Sequence, residues 1–145
     1  MKSILFLVLL ATASAHPSAV VLPALEIQER EAAWLRANPS GWANDIHGKS
    51  MLPYIKDGDR VIYEAYIGQK LKGQWGSITQ TYTKIINGKK VQVTRRLTHL
   101  IYDENATHVF MTGLNNSRSD GWLPKYDKNG KCLVNGVLVG ILRKE

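Results

Sequence analysis

One cysteine, Cys132, stands in a chain of 145 residues, so neither an intrachain disulfide nor a cysteine-rich zinc site can form. The four histidines, His16, His47, His99 and His108, lack any paired ligand spacing. That argues against a metal centre, and no cofactor is expected. Apolar residues make up 44% of the chain and charged residues 21%, which excludes wholesale disorder, collagen and coiled coil. No apolar run reaches the ~20 residues of a membrane-spanning helix. The stretch from Ser3 to Ala15 has 13. The length fits one domain with a core large enough to need no metal or disulfide.

That first stretch carries the clearest signal in the chain. Lys2 gives a positive start and Ile4 to Leu10 is unbroken apolar sequence. Ala13-Ser14-Ala15 then places small residues where a signal peptidase cuts, before His16 and Pro17. Residues 1–15 are expected to be a cleavable signal, with an uncleaved anchor running to Leu25 as the lesser reading. Both put the bulk of the chain outside the cytoplasm, secreted or periplasmic. The formal charge is +7, and loss of Lys2 leaves +6. A scattered basic surface is ordinarily a solvated one. The functional reading is peripheral contact with an anionic membrane surface or envelope polymer, and no nucleic-acid partner is expected.

Residues 16–40 read as a spacer and an N-terminal helix over Leu25–Ala37, with Glu26 and Glu29 early, Arg36 late and Pro39-Ser40-Gly41 ending it. Residues 41–145 read as a β domain. Arg60–Tyr66 is a strand, and Ser77–Ile86 and Lys90–Tyr102 flank the hairpin pair Asn87-Gly88. A strand over Thr107–Thr112, a polar loop over Gly113–Lys131 and one or two strands over Cys132–Leu142, broken at Asn135-Gly136, complete it. The expected fold class is mainly β, antiparallel, with a short helix in front.

The segment that bears on chemistry is Gly48-Lys49-Ser50-Met51-Leu52-Pro53, followed by Asp57-Gly58-Asp59. Gly48 frees the backbone ahead of Ser50 and Pro53 fixes it behind, which suits a serine presented on a turn. Capping of a short helical turn by Ser50 is the commoner use of such a residue.

Gly-x-Ser-Met-x-Pro followed by Gly-Asp resembles the nucleophile box of the type I signal peptidases and the related self-cleaving SOS repressor peptidases. Val93-Thr94-Arg95-Arg96-Leu97 resembles the box carrying the general base, a lysine, or a histidine in the archaeal and endoplasmic-reticulum enzymes. Phe110-Met111-Thr112-Gly113-Leu114-Asn115-Asn116 leading to Asp120-Gly121-Trp122, and Val139-Gly140-Ile141-Leu142, resemble the later boxes. Four boxes stand in order over roughly residues 46–142. The resemblance implies a coiled antiparallel β domain and a serine endopeptidase acting on exported polypeptides. In it Ser50 is the nucleophile, Arg95 occupies the base position, Asp120 supports, and Met51 and Pro53 contact substrate.

The chain also departs from that pattern. Arginine is not deprotonated in proteins, so Arg95 cannot take the Ser50 proton. Three readings stay open. In the first, the register of the second box is off and another group serves: His99 lies four residues along the same strand and faces the same side, although at about 13 Å from Arg95 it cannot simply stand in at that spot. Lys49, Lys84 or Lys90 reaches the serine from elsewhere, or the domain is a non-catalytic peptide-binding relative. Gly113-Leu114 also replaces an expected Gly-Asp, and Gly73-Gln74 another.

Overall fold

A computed structural model describes residues 17–145, so the expected signal segment, residues 1–15, lies outside the described residues. The described residues open with strand β1 (Val20–Leu22) and helix α1 (Ala24–Ala37). Good helix formers, Glu26 in the first turn and Arg36 in the last favour that helix. Pro23 precedes it and the Asn38 amide closes on the Leu35 carbonyl. Its one buried side chain, Trp34, packs with Leu22, Ile62, Val139 and Leu142. No helix among the described residues is long and apolar enough to cross a membrane.

The rest is mainly β: β2 (Trp42–Asp45), β3 (Arg60–Ala65), β4 (Trp75–Ile86), β5 (Lys89–Glu104), β6 (His108–Thr112), β7 (Gly121–Pro124) and β8 (Val134–Lys144). These form one open sheet in the order β2-β3-β8-β4-β5-β6-β7, antiparallel throughout. β1 joins the sheet in parallel with β8, so part of the expected spacer is a strand. Register shifts in the pairings of β8 with β3 and β4 mark local irregularities in an 11-residue strand. Two apolar clusters fill the interior: one around Ile78, Ile101, Val109 and Met111, the other around Met51, Ile55, Tyr63 and Trp75.

Several expectations are corrected. The strand expected to break at Asn135-Gly136 runs on, because Gly136 lets β8 pass close to its neighbours. A Cβ there would stand 2.3 Å from the Glu64 carbonyl oxygen and 2.4 Å from the Trp42 ring. The expected loop over 113–131 contains β7, and β2 is a strand that the sequence reading did not single out. The Asn87-Gly88 hairpin forms as read, with φ of 50° and 76° at the two central residues, the left-handed pair a tight hairpin needs.

Two features of the sheet place the functional side chains. First, β4 pairs with β8 only as far as Ile78, and β5 with β6 only from Leu100. Beyond Gln80 and Arg95 the hairpin is therefore a two-stranded arm, with Ile85, Ile86 and Val91 exposed near its tip. Second, Asp59 is 2% exposed and its carboxylate accepts from Arg143 Nε (2.9 Å), Arg143 Nη2 (2.8 Å) and the Lys56 amide (2.8 Å). Arg143 Nη2 also donates to the Tyr54 carbonyl at 3.3 Å. The end of β8 thereby clamps the loop that carries Ser50. Removing one member of a buried ion pair leaves the other charge uncompensated. Arg143→Met is expected to cost about 3 kcal/mol, seen as a lower urea midpoint at an unchanged slope. An unchanged midpoint would show that the clamp carries no stability.

Candidate active site

The Ser50 loop runs between β2 and β3 and is closed at its base by two backbone bonds, from the Ile46 amide to the Asp59 carbonyl and from the Gly58 amide to the Ile46 carbonyl, each 2.9 Å. Gly48 has φ +103°, a backbone state that favours glycine, and its amide donates to Asp57 Oδ1 at 2.9 Å. The chain then winds into a turn in which the Leu52 amide meets the Lys49 carbonyl (3.2 Å) and the Ile55 amide the Met51 carbonyl (3.1 Å). Met51 and Ile55 are buried against Tyr63, Trp75 and Leu100 and anchor the turn in the core. From the segment after β6, the Asn115 amide donates to the Ser50 carbonyl at 2.8 Å and Asn115 Nδ2 to the Lys49 carbonyl at 2.9 Å. The backbone that presents Ser50 is thus held from both sides.

The hydroxyl faces His99. Ser50 Oγ stands 2.9 Å from His99 Nε2, and His99 Nδ1 stands 2.5 Å from Asp120 Oδ2. His99 lies on β5 opposite Gly76 and is only 3% exposed. Asp120 sits one residue before β7, where its amide donates to the Met111 carbonyl at 2.9 Å. A carboxylate can only accept, so Nδ1 carries the proton and donates to Asp120. That leaves the Nε2 lone pair to accept from the Ser50 hydroxyl. Gly113 completes the fit, since a Cβ there would stand 2.9 Å from His99 Nε2 and 2.6 Å from Asn116 Nδ2.

A cleft of about 540 Å³ opens over this arrangement. One wall is the stretch from Asn44 to Gly48 with Ser50, and the other is β5 from Arg95 to His99. Among the described residues no strand pairs with the outer edge of β5 before Leu100, so that wall offers free backbone groups. On the floor, Tyr63 Oη and Thr98 Oγ1 are 2.7 Å apart. Burial pushes the Tyr63 phenol up to about 12, against the opposing pull of the Thr98 bond and the Arg96 charge, and it stays neutral at working pH.

Of the residues expected from sequence, Ser50 and Asp120 come together through His99, and Met51 lines the cleft. Pro53 is exposed and does not line the cleft. Arg95 does not stand at the base position. It borders the cleft from the start of the arm, its Nε donating to Gln80 Oε1 at 3.0 Å and its guanidinium lying 5.1 Å from the centre of the Tyr82 ring. The pairings of His99 with Gly76 and of Leu100 with Thr112 set the height of His99 along β5, and Arg95 falls four residues beyond it. Lys84 and Lys90 lie on the arm, and Lys49 meets Ser50 only as its chain neighbour. The signal that could have found His99 was the histidine base of part of the resembled family, which the register set by Arg95 obscured. No cluster of His, Cys, Asp and Glu able to hold a metal is found among the described residues. No family model and no curated protein matches this chain.

The tautomer is open to direct measurement. In protein carrying ¹⁵N-labelled histidine, the ring nitrogens of His99 are expected to report the Nδ1–H form. Gly113→Ala should move the His99 signals while those of His47 and His108 stay in place. An Nε2–H tautomer in the parent, or an unmoved His99 in the variant, would contradict the geometry.

Proposed function

We propose that this protein is a serine endopeptidase of the signal-peptidase type, with Ser50 as nucleophile, His99 as general base and Asp120 as the group that orients and supports His99. The observation that carries the reading is the unbroken hydrogen-bond chain from the Ser50 hydroxyl through His99 to Asp120, with spacings of 2.9 and 2.5 Å. Nucleophile, base and orienting carboxylate are each within reach of the next, the geometry that activates a hydroxyl.

The steps follow from the residues. His99 Nε2 takes the proton as Ser50 Oγ attacks the peptide carbonyl. The positive imidazole that results is held by the Asp120 carboxylate, and its proton then passes to the leaving amine. Water, activated by the same nitrogen, hydrolyses the acyl-serine. The Ser50 amide donates to no other described group, which leaves it free for the oxyanion. An extended polypeptide fits the free edge of β5, where backbone groups supply affinity and side-chain pockets supply choice. The order of the four sequence boxes favours exported polypeptides cut after small residues. A non-catalytic relative was motivated by an arginine at the base position, and His99 removes that motive.

Cleavage of a peptide with an Ala-x-Ala site by residues 16–145 tests the reading. Ser50→Ala and His99→Ala are each expected to lower kcat by roughly 10⁴-fold or more and Asp120→Asn by up to about 10⁴-fold, with Arg95→Ala remaining within about tenfold of the parent. Full activity in Ser50→Ala, or in His99→Ala, would sink the assignment.

The arm supports a place at a lipid surface. Ile86 pairs with Lys89 and Lys84 with Val91, so apolar and cationic side chains share one face of the ribbon, and Ile85 at the tip is 69% exposed. Co-sedimentation with vesicles rich in anionic lipid is expected, and it should weaken when Ile85 and Ile86 are both changed to Ser. Equal pelleting of parent and double variant would remove the arm from this role.

A further inference from the structure

The charge of the protein is not evenly spread. Between Glu64 and Asp103 stand seven Lys and Arg residues and no Asp or Glu, so this stretch equals the whole formal charge of +7. Part of it borders the cleft, and the cleft does not end at the catalytic groups. A second cavity of about 720 Å³ is lined by Thr79, Thr81, Arg96, Lys128, Lys131 and Asn135 among others. Arg96 lines both cavities. Where they adjoin, Asn135 Nδ2 donates to Ser77 Oγ at 3.2 Å and Thr79 Oγ1 to Asn135 Oδ1 at 3.1 Å. Ser77 belongs to the first cavity, Thr79 and Asn135 to the second. The two cavities, joined at Arg96, are together called the trench below.

The trench is cationic where it leaves the active site. The side chains of Arg96, Lys128 and Lys131 are exposed and form no ion pair with any carboxylate among the described residues. The carboxylates that line it are already engaged. Asp45 pairs with Arg60, Asp120 holds His99, and Asp127 Oδ1 accepts from the amides of Asn129 and Lys131 at 2.8 and 2.9 Å. The Arg96 charge is also felt at the Tyr63 phenol on the floor of the cleft.

We infer that the trench reads an acidic side chain on the polypeptide substrate, with Arg96 as its first contact and Lys128 and Lys131 beyond. This rests on the peptidase reading of Ser50 and His99 and names the class of substrate. Arg96 lies three residues from His99 along β5, about 10 Å, and an extended chain advances about 3.3 Å per residue. The acidic residue therefore falls about three or more residues from the scissile bond. Guanidinium and ammonium groups in a partly enclosed trench favour a carboxylate most at low salt, since screening weakens exposed pairs.

The test compares peptides with one small-residue site flanked by Glu, Gln or Lys three to five residues to either side. With the parent protein, Glu on one side should raise kcat/KM about tenfold over Lys at low ionic strength, and the ratio should shrink in salt. Arg96→Glu, and separately Lys131→Glu, should reverse the ratio. Because each variant is compared with itself across peptides, a general loss of activity does not mimic the effect. Cleavage of all peptides at one rate on both sides would overturn the inference and leave the peptidase reading standing. Cleavage of none would count against the peptidase reading. Fluorescence anisotropy of the same peptides on Ser50→Ala then decides the trench: tighter binding of Glu over Lys peptides, reversed by Arg96→Glu, supports it, and equal binding overturns it.

Discussion

Everything at the candidate site depends on how β5 is paired. Its ladder with β4 is continuous from the hairpin turn, while its ladder with β6 begins only at Leu100. His99 is therefore the last residue of β5 before the second neighbour arrives, with a strand on one side and open cleft on the other. One residue further in, the imidazole would sit on the opposite face, because side chains alternate along a strand. Further out it would lie on the arm, beyond the reach of Asp120 and Gly113. A one-residue slip in this ladder would dismantle the site and turn the apolar residues of β5 to the wrong face.

The chain Ser50–His99–Asp120 is also a buried polar network, and such networks are costly unless each member is satisfied. Here they are: no buried side-chain polar atom lacks a partner among the described residues. The three groups come from three separate segments, the Ser50 loop, β5 and the approach to β7, and Asn115 ties the first to the chain after β6. Their alignment is thus a property of the folded sheet and not of any one loop. The Asp59–Arg143 clamp extends this logic to the far side of the Ser50 loop, so the turn is fixed on one side by Asn115 and on the other by an ion pair that needs the last strand in place.

Much of this was legible in the sequence, for identifiable reasons. Asn87-Gly88 forces one hairpin geometry, so the longest strand pair could be read directly. Gly48, Ser50 and Pro53 constrain a short turn strongly enough to draw attention to Ser50, and the order of the later boxes carried the rest. The short strands β1, β2 and β7, of three or four residues each, were missed because so few residues carry no periodic signal. Gly136 looked like a break because a glycine serving close approach and a glycine serving a turn are the same letter. The partner of Ser50 was misplaced for a sharper reason. Pattern order put Arg95 in the slot, and the distance to His99 was then measured from the wrong origin. The spacing of about 13 Å between them is sound strand geometry; it separates His99 from Arg95, and says nothing of Ser50, which reaches His99 from another part of the fold.

With His99, and not Arg95, beside the Ser50 hydroxyl, Arg95 and Arg96 need no chemical role, and that changes what they mean. An arginine at a catalytic lysine's position reads as decay. Two arginines on the wall of an intact cleft are instead a field on whatever occupies it. Their neighbours divide the work: Arg95 is held by Gln80 and the Tyr82 ring, and so stays at the root of the arm, while Arg96, on the opposite face of the strand, makes no ion pair and borders both halves of the trench. Adjacent residues on one strand thus serve two surfaces. The first belongs to the arm, where cations flank exposed aliphatic side chains. The second borders the cleft over Ser50 and the cavity beyond it.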